Sequence, residues 1–401
     1  MRTRFTWIAA ILALVAVGFL MACSTKFKNS SNGLVVVPSQ GSAVMQTFSL
    51  NLGNGHVSQI NNSAGPPTPG LPGAVILDPA GTFAYLVVNQ NSILPGSATG
   101  IASFQVGSDG KLSYIATAPL TNPQAIAIDS AGKFLFVANG PDGTVSVFSI
   151  GANAALTEVA GSPFPLPAEA GGGGSPTPSA LAVTPTAFPI EFASCSGHTA
   201  PTTENLYVAD SVNNVLLNYS VSSSGVLTLV PASVTAPGVL TGTLPSGVAV
   251  DSCGQFVYVA NATSNSVSAY TICTAVSQSC LQGDYSLQPV TGSPYPAGDK
   301  PGPIAIDPFA KYVYAVDTGS SQVSGFRISP SDGALTAIAG TPVSTNSGAN
   351  SIAIRSDGTW IFVANFNSAN VSQYAITQAT GGLTPQEPFT TLNQPTGVAV
   401  K

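Results

Sequence analysis

The chain has 401 residues, of which 44% are hydrophobic and only 7% charged, with 41 glycines, 32 prolines and a formal net charge of −6. Ordinary globular domains carry roughly 25% charged residues, so Ser, Thr, Asn and Gly must supply the wet surface. The acidic balance excludes the basic footprint of a nucleic-acid-binding protein.

In chain order, residues 1–22 read as a signal peptide, because Arg2 and Arg4 precede an apolar stretch from Ile8 to Ala22. That stretch is shorter than the ~20 residues of a membrane-spanning helix. Leu20-Met21-Ala22-Cys23 resembles the lipobox of bacterial lipoproteins, which implies acylation of Cys23 and a protein held at a membrane surface by its lipid. Residues 23–33 form a polar tether, and residues 34–401 the folded part. Beyond the leader the chain keeps 9 of its 11 basic and all 17 acidic residues, a net charge of −8. The expected location is the cell envelope, facing the periplasm or the exterior. Four cysteines remain, Cys195, Cys253, Cys273 and Cys280, and an even number in an oxidising compartment suggests two disulfides. Neighbouring turns favour Cys195 with Cys253 and Cys273 with Cys280, while the two other connectivities stay open.

From Leu34 onward one phrase recurs seven times: PGAVILD at Pro72, PQAIAID at Pro123, PSALAVT at Pro178, PSGVAVD at Pro245, PGPIAID at Pro301, ANSIAIR at Ala349 and PTGVAVK at Pro395. Successive starts lie 51, 55, 67, 56, 48 and 46 residues apart, a period of propeller blades rather than of helical solenoids. The runs are short, β-branched and bounded by Gly, Pro and Asn, without helical periodicity. One period holds four strands, here called A to D: PQAIAID, KFLFVAN from Lys133, TVSVFSI from Thr144 and ALTEVAG from Ala155. The expected fold is an all-β, seven-bladed propeller of four-stranded antiparallel blades. Its last phrase ends the chain, so PTGVAVK must be strand A of the blade whose other strands are LVVVPSQ, AVMQTFSL and HVSQI near the N-terminus. The A–B turns DPAG, DSAG and DSCG, at Asp78, Asp129 and Asp251, have the chemistry of tight hairpins. The Asn or Asp closing each strand B reads as a turn former rather than as a cation ligand.

B–C turns and D–A connectors share one face, and A–B and C–D turns the other. On the first face the long connectors Gly161–Pro178 and Gly292–Gly302 shape a candidate ligand mouth, with Asp210, Asp299, Lys300 and Asp317 as its polar groups and with Phe164 and Tyr295 packed against the adjacent blade or, as the second option, forming an aromatic lip. Lys300 is the one lysine placed there, outnumbered by Asp142, Glu169, Asp210, Asp299 and Asp317, so the mouth repels a phosphosugar. The cysteines, His56, His198 and Arg355 fall on the opposite face, and Arg327 lies inside a strand C.

The hairpins DPAGTFAYLVVN, DSAGKFLFVAN, DSCGQFVYVAN and SDGTWIFVAN, followed by NSVSAY, GTVSVF or ANVSQY, resemble the YVTN-repeat and lactonase-like seven-bladed propellers of bacteria over nearly all of residues 34–401. Members similar to 6-phosphogluconolactonase hydrolyse a cyclic ester, which implies a P-R-H segment on a strand A and a Glu after a strand B. Here the positions after the A-strand proline, or after Ala349, read Gly73, Gln124, Ser179, Ser246, Gly302, Asn350 and Thr396, none of them Arg, and the B–C turns hold no Glu. No catalytic residue is therefore assigned by the resemblance. There is no His/Cys cluster at metal-ligand spacing, no G-x-S-x-G elbow and no phosphate-cradling loop before a helix, so neither metal nor cofactor is expected. The primary expectation is a monomeric, lipid-anchored, non-catalytic binding or scaffold module for a protein or carbohydrate ligand. The alternatives are a lactonase-like hydrolase of cyclic esters and a polysaccharide-binding lectin.

Overall fold

The computed structural model describes residues 32–60, 65–90, 96–168, 174–185, 203–232, 236–274 and 285–401. The leader, Cys23, Glu169, Cys195, His198 and Cys280 lie outside the described residues. Seven antiparallel sheets follow one another around a ring, and each is built wholly within residues 32–401. Numbering the N-terminal blade as 1, the inner strands A of blades 2 to 7 are Leu71–Leu77, Pro123–Ile128, Pro178–Val183, Pro245–Val250, Pro301–Ile306 and Ala349–Ile354. Each A strand contacts the A strands of both neighbours, so they wall the axis. Strands B of the same blades, Phe83–Asn89, Phe134–Asn139, Glu204–Asp210, Phe256–Asn261, Tyr312–Asp317 and Trp360–Asn365, are buried along almost their whole length. Apolar clusters fill the seams between consecutive blades rather than one central core.

Blade 1 is assembled from both chain ends. Its B, C and D strands are Asn32–Ser39, Val44–Asn51 and Val57–Gln59, and its A strand is Ala399–Val400. Val35 pairs with Val400 and Val36 with Ala399. The backbone N–H groups of Leu34 and Lys401 donate to each other's carbonyls at 3.0 and 2.9 Å. Thr396 N donates to Pro38 O at 3.0 Å, and Gln40 N to Gln394 O at 2.8 Å. Val398 is buried at 4% exposure between blades 7 and 1, whereas Val400 remains half-buried because it reaches the axial channel.

The A–B turns of blades 3, 5 and 6 are built as their sequences imply. Asp129 Oδ1 accepts from the backbone of Lys133 and Phe134 at 2.6 and 2.8 Å, Asp251 Oδ1 from Gln255 and Phe256 at 2.6 and 2.7 Å, and Asp307 Oδ1 from Lys311 and Tyr312 at 2.6 Å each. The C–D turns of blades 4, 6, 7 and 1 each lock their blade to the one before it. Gly333, at φ +74°, has a Phe256 ring carbon 2.4 Å from where its Cβ would stand, and its carbonyl accepts from Tyr258 Oη at 2.9 Å. Any side chain at Gly333 would push blade 6 off blade 5.

The outer strand differs from the expected single D. In blades 3, 5 and 6 it breaks at Gly161-Ser162-Pro163, Gly292-Ser293-Pro294 and Gly340-Thr341-Pro342, then resumes at Phe164–Pro165, Tyr295–Pro296 and Val343–Ser344, still paired with strand C. Proline has no N–H for the ladder, and across the gap strand C's own N–H groups are met by a hydroxyl: Ser162 Oγ accepts from Val147 N at 3.0 Å and Ser293 Oγ from Ala269 N at 2.9 Å.

Ring closure therefore hangs on a short non-covalent strand. Full burial of one valine contributes roughly 1.5–3 kcal/mol, and losing the strand also exposes the edge of Asn32–Ser39. Deleting residues 395–401 is expected to give aggregation or a much lower melting temperature, and Val398→Ala a loss of about 1–2 kcal/mol in urea titration. A deletion variant that melts like the intact ring would refute the clasp.

Candidate functional site

The axial channel has two chemically different ends. Each A strand begins at the loop-rich face and ends at the A–B turn face. At the loop-rich end, the side chain after the strand's first residue ties one blade to the next. Ser179 Oγ donates to Pro245 O at 2.7 Å, Ser246 Oγ to Pro301 O at 3.0 Å, Asn350 Nδ2 to Pro395 O at 3.1 Å and Thr396 Oγ1 to Gly73 O at 3.0 Å. Four of the seven positions that could hold the family's Arg are thus occupied by an inter-blade belt. Sequence reading registered these residues as empty catalytic slots. Their small polar chemistry was visible, but not the carbonyl of the next blade, which only ring geometry supplies.

A second set of ties lies outside the belt. Asn214, closing the blade 4 B–C turn, accepts from Leu244 N at 2.7 Å, and Asn265, closing that of blade 5, accepts from Lys300 N at 2.9 Å. All four residues have φ between 50° and 57°, a region that Asn tolerates and Leu and Lys rarely adopt.

The residues read from sequence as a ligand mouth divide into three groups. Asp299, Lys300 and Asp317 come together. Thr318 N donates to Lys300 O and Gly319 N to Asp299 O, both at 3.0 Å, so the connector before strand A of blade 6 nests against its B–C turn. Gly298 and Gly319 make the nesting feasible, since Cβ atoms there would stand 2.3 Å from Asp317 Oδ2 and 2.1 Å from Asp299 Oδ2. Asp299 and Lys300 are exposed at the rim, next to the innermost strand, whereas Asp317 is fully buried and accepts from Ser324 Oγ at 2.7 Å. Burial, reinforced by the charge of Asp299, pushes the Asp317 carboxyl up to about 6 despite the Ser324 hydrogen bond.

Asp210 stands alone in blade 4 as a buried brace, accepting at Oδ1 from Thr177 N at 3.0 Å and at Oδ2 from Asn213 Nδ2 at 2.7 Å. The corresponding Asn139, Asn261 and Asn365 each donate from Nδ2 to a strand C serine at 2.9–3.0 Å. Phe164 and Tyr295 lie on the resumed outer strands, with strands C, B and A between them and the axis. Phe164 pairs with Val145 and packs into the seam of blades 3 and 4, and Tyr295 pairs with Val267 and donates from Oη to Thr291 O at 2.9 Å.

On the A–B face, Cys253 and Cys273 are buried and disulfide-bonded. Glu204 opens strand B of blade 4 there, with Oε1 buried and without a hydrogen-bond partner. Burial, then the charge of Asp129, pushes its carboxyl up to about 7. Sequence reading missed Glu204, because nothing local distinguishes it from a solvated strand-end acid. Among the described residues no group of three or more His, Cys, Asp and Glu is placed to hold a metal ion.

The sequence model of the family described as "Lactonase, 7-bladed beta-propeller" matches residues 28–165 and 281–400. No curated protein matches the chain. Among solved structures, a putative 6-phosphogluconolactonase from Bacteroides fragilis superposes with a TM-score of 0.70 at 18% identity, covering 93% of this chain and 99% of its own. The periplasmic gluconolactonase of Pseudomonas aeruginosa gives a TM-score of 0.71 at 17% identity, covering 92% and 99%. At such identities the structural likeness speaks for the fold. The family match overturns the expectation of a non-catalytic binding or scaffold module and favours the lactonase-like alternative. That expectation took the filled slots as evidence against hydrolysis, although a belt at those positions leaves the exposed rim groups unaccounted for.

The raised carboxyl of Asp317 has a consequence for stability. Its folded value of about 6 lies above the ordinary 3.8, so the unfolded chain gives up its proton first as pH rises. Stability from this group is full below about pH 4, falls as pH approaches 6 and then levels off, by at most roughly 3 kcal/mol. Asp317→Asn reproduces the arrangement of Asn139, Asn261 and Asn365. It is expected to fold, to remove this slope from a melting curve series between pH 4 and 7, and to melt above the unmodified protein at pH 7. An unchanged slope would show that Asp317 does not titrate in this range.

Proposed function

Since the chain belongs to the lactonase family of seven-bladed β-propellers, we propose that it is an extracytoplasmic hydrolase of a neutral, unphosphorylated lactone. What carries the reading is the family match, which spans close to two thirds of the chain. Water adds to the lactone carbonyl, the ring C–O bond breaks, and the ring oxygen leaves as the hydroxyl of a hydroxy acid. Such a reaction needs a base for the water and a donor for the oxyanion. Asp299 and Lys300, exposed side by side at the rim of blade 6, are the groups assigned to those two tasks. Asp317 serves beneath them as a brace. The acidic surroundings of Lys300 disfavour a phosphorylated substrate.

The test is turnover by residues 32–401 of δ-gluconolactone and its 6-phosphate, followed by proton release against the spontaneous rate. Acceleration is expected for the neutral lactone above the phosphorylated one, with a loss of at least about a hundredfold in kcat for Asp299→Asn. No acceleration on either lactone would overturn the reading.

In the same proposal, Cys23 carries the lipid that holds the enzyme at a membrane, and Cys195–Cys253 and Cys273–Cys280 staple the A–B face. Cell fractionation checks the anchor: the intact chain is expected in the membrane fraction and Cys23→Ser in the soluble one. Cys23→Ser remaining with the membrane would exclude Cys23 as the attachment point.

A further inference from the structure

We propose that the A–B end of the axial channel is a second binding site, for a neutral and largely aliphatic small molecule. It is independent of the hydrolase reading, because it lies at the opposite end of the channel from Asp299 and Lys300.

The channel changes polarity along its length. Its loop-rich end is ringed by Ser179, Ser246, Asn350 and Thr396, which carry the inter-blade belt. Its other end opens into a cavity of about 430 Å³, walled by blades 6, 7, 1 and 2. The wall is made of Val75, Ile306, Ile352, Ile354, Val398 and Val400, with Asp78, Ser356 and Lys401 the few polar side chains in the lining. Packing accounts for the part of each side chain that meets a neighbouring blade, yet Val75, Ile306, Ile352, Ile354 and Val400 are only half-buried. A channel that merely held water would be served as well by the serines and threonines that dominate elsewhere in this chain. Branched apolar walls around a space of this size, with few polar groups, are the composition of a small-molecule site.

Charge argues for a neutral occupant. The carboxylate of Asp78 is engaged with the backbone of Phe83 at 2.7 Å and with Thr82 Oγ1 at 2.9 Å, and Lys401 Nζ donates to the carbonyl of Pro79. Arg355, at the neighbouring rim, forms an ion pair with Asp357. The occupant would touch Val398 to Lys401, the clasp strand, together with the blades on either side of it. Binding is therefore coupled to ring closure and should raise the melting temperature.

N-Phenyl-1-naphthylamine, a neutral apolar dye that is dark in water, is the probe, titrated into residues 32–401 with 1-decanol as competitor. One saturable site per chain is expected, displaced by 1-decanol, with 1-decanol alone raising the melting temperature. Ile354→Asp places a charge in the cavity and Ile306→Trp fills it, and each should weaken dye binding at least about tenfold. Hydrolysis of the lactone at the other end should be unchanged. A saturable signal that 1-decanol does not displace, no saturable signal at all, or undiminished binding in whichever variant keeps its fold by circular dichroism would overturn the proposal.

Discussion

The ring has to close, and everything else in the molecule depends on how it does so. A propeller of seven sheets packs each blade between two others, so an open ring would leave two apolar blade faces in water and one sheet edge unpaired. Here the final contact is made by Ala399 and Val400 pairing with Val36 and Val35, flanked by the hydrogen bonds of Thr396 and Gln394 to Pro38 and Gln40. No covalent link joins these ends among the described residues. Closure thus rests on the summed strength of every seam, and three kinds of tie reinforce the seams, all three of them together between blades 5 and 6. The belt around the loop-rich end of the channel, the asparagine caps outside it and the glycine-on-aromatic stacks of the C–D turns all connect a blade to its neighbour rather than to itself.

That division of labour bears on chemistry. The position after the A-strand proline is the one place where each blade can present a side chain to the inner rim. In this chain Ser179, Ser246, Asn350 and Thr396 spend that position on the carbonyl of the next blade. An arginine there would lose the short bond and hold its charge in the channel instead. In the proposed function the reacting groups lie one step outward, in the connector residues before the strand, where the chain is exposed. Lys300 occupies that step in blade 6, and Leu244 in blade 5, where it is 43% exposed. The family match leaves out residues 166–280, the stretch that contains blade 4, most of blade 5 and both described cysteines.

The architecture was legible because it is repetitive and local. The A-strand phrase, the Asp–Gly hairpins and the split blade follow from residues close together in sequence, and their physics is that of a hairpin read seven times. The outer strands were less legible. Gly161-Ser162-Pro163 reads as the end of a strand, yet Ser162 Oγ accepts from strand C across the gap, and the strand resumes at Phe164. Phe164 and Tyr295 lie on outer strands for this reason, packed into the seams beside them rather than forming a lip. The belt, the caps and the raised carboxyl of Glu204 were not legible at all. Each depends on an atom of the adjacent blade, 30 residues or more away in the chain for Asn214–Leu244 and Asn265–Lys300.

Carboxyl groups in this chain serve the backbone more than the solvent, and this gives its sparse charge a physical meaning. Asp129, Asp251 and Asp307 are buried acceptors for strand-B N–H groups, and burial raises all three, with Asp251 reaching about 6. Asp317 and Glu204 are raised for the same leading reason. Backbone hydrogen bonds favour the charged form of the three turn acids, but loss of water outweighs them, so each folded carboxyl holds its proton to a higher pH than the unfolded one. The sign is the same at these five buried sites, and their contributions accumulate: they favour the folded ring toward mildly acidic pH and are lost as pH rises through the interval above about 4. Asp109, Asp142 and Asp332 are lowered instead, each first by a side-chain hydrogen bond, from Lys111, Thr121 and Ser329, and they oppose that trend from the exposed surface, where solvent screens them.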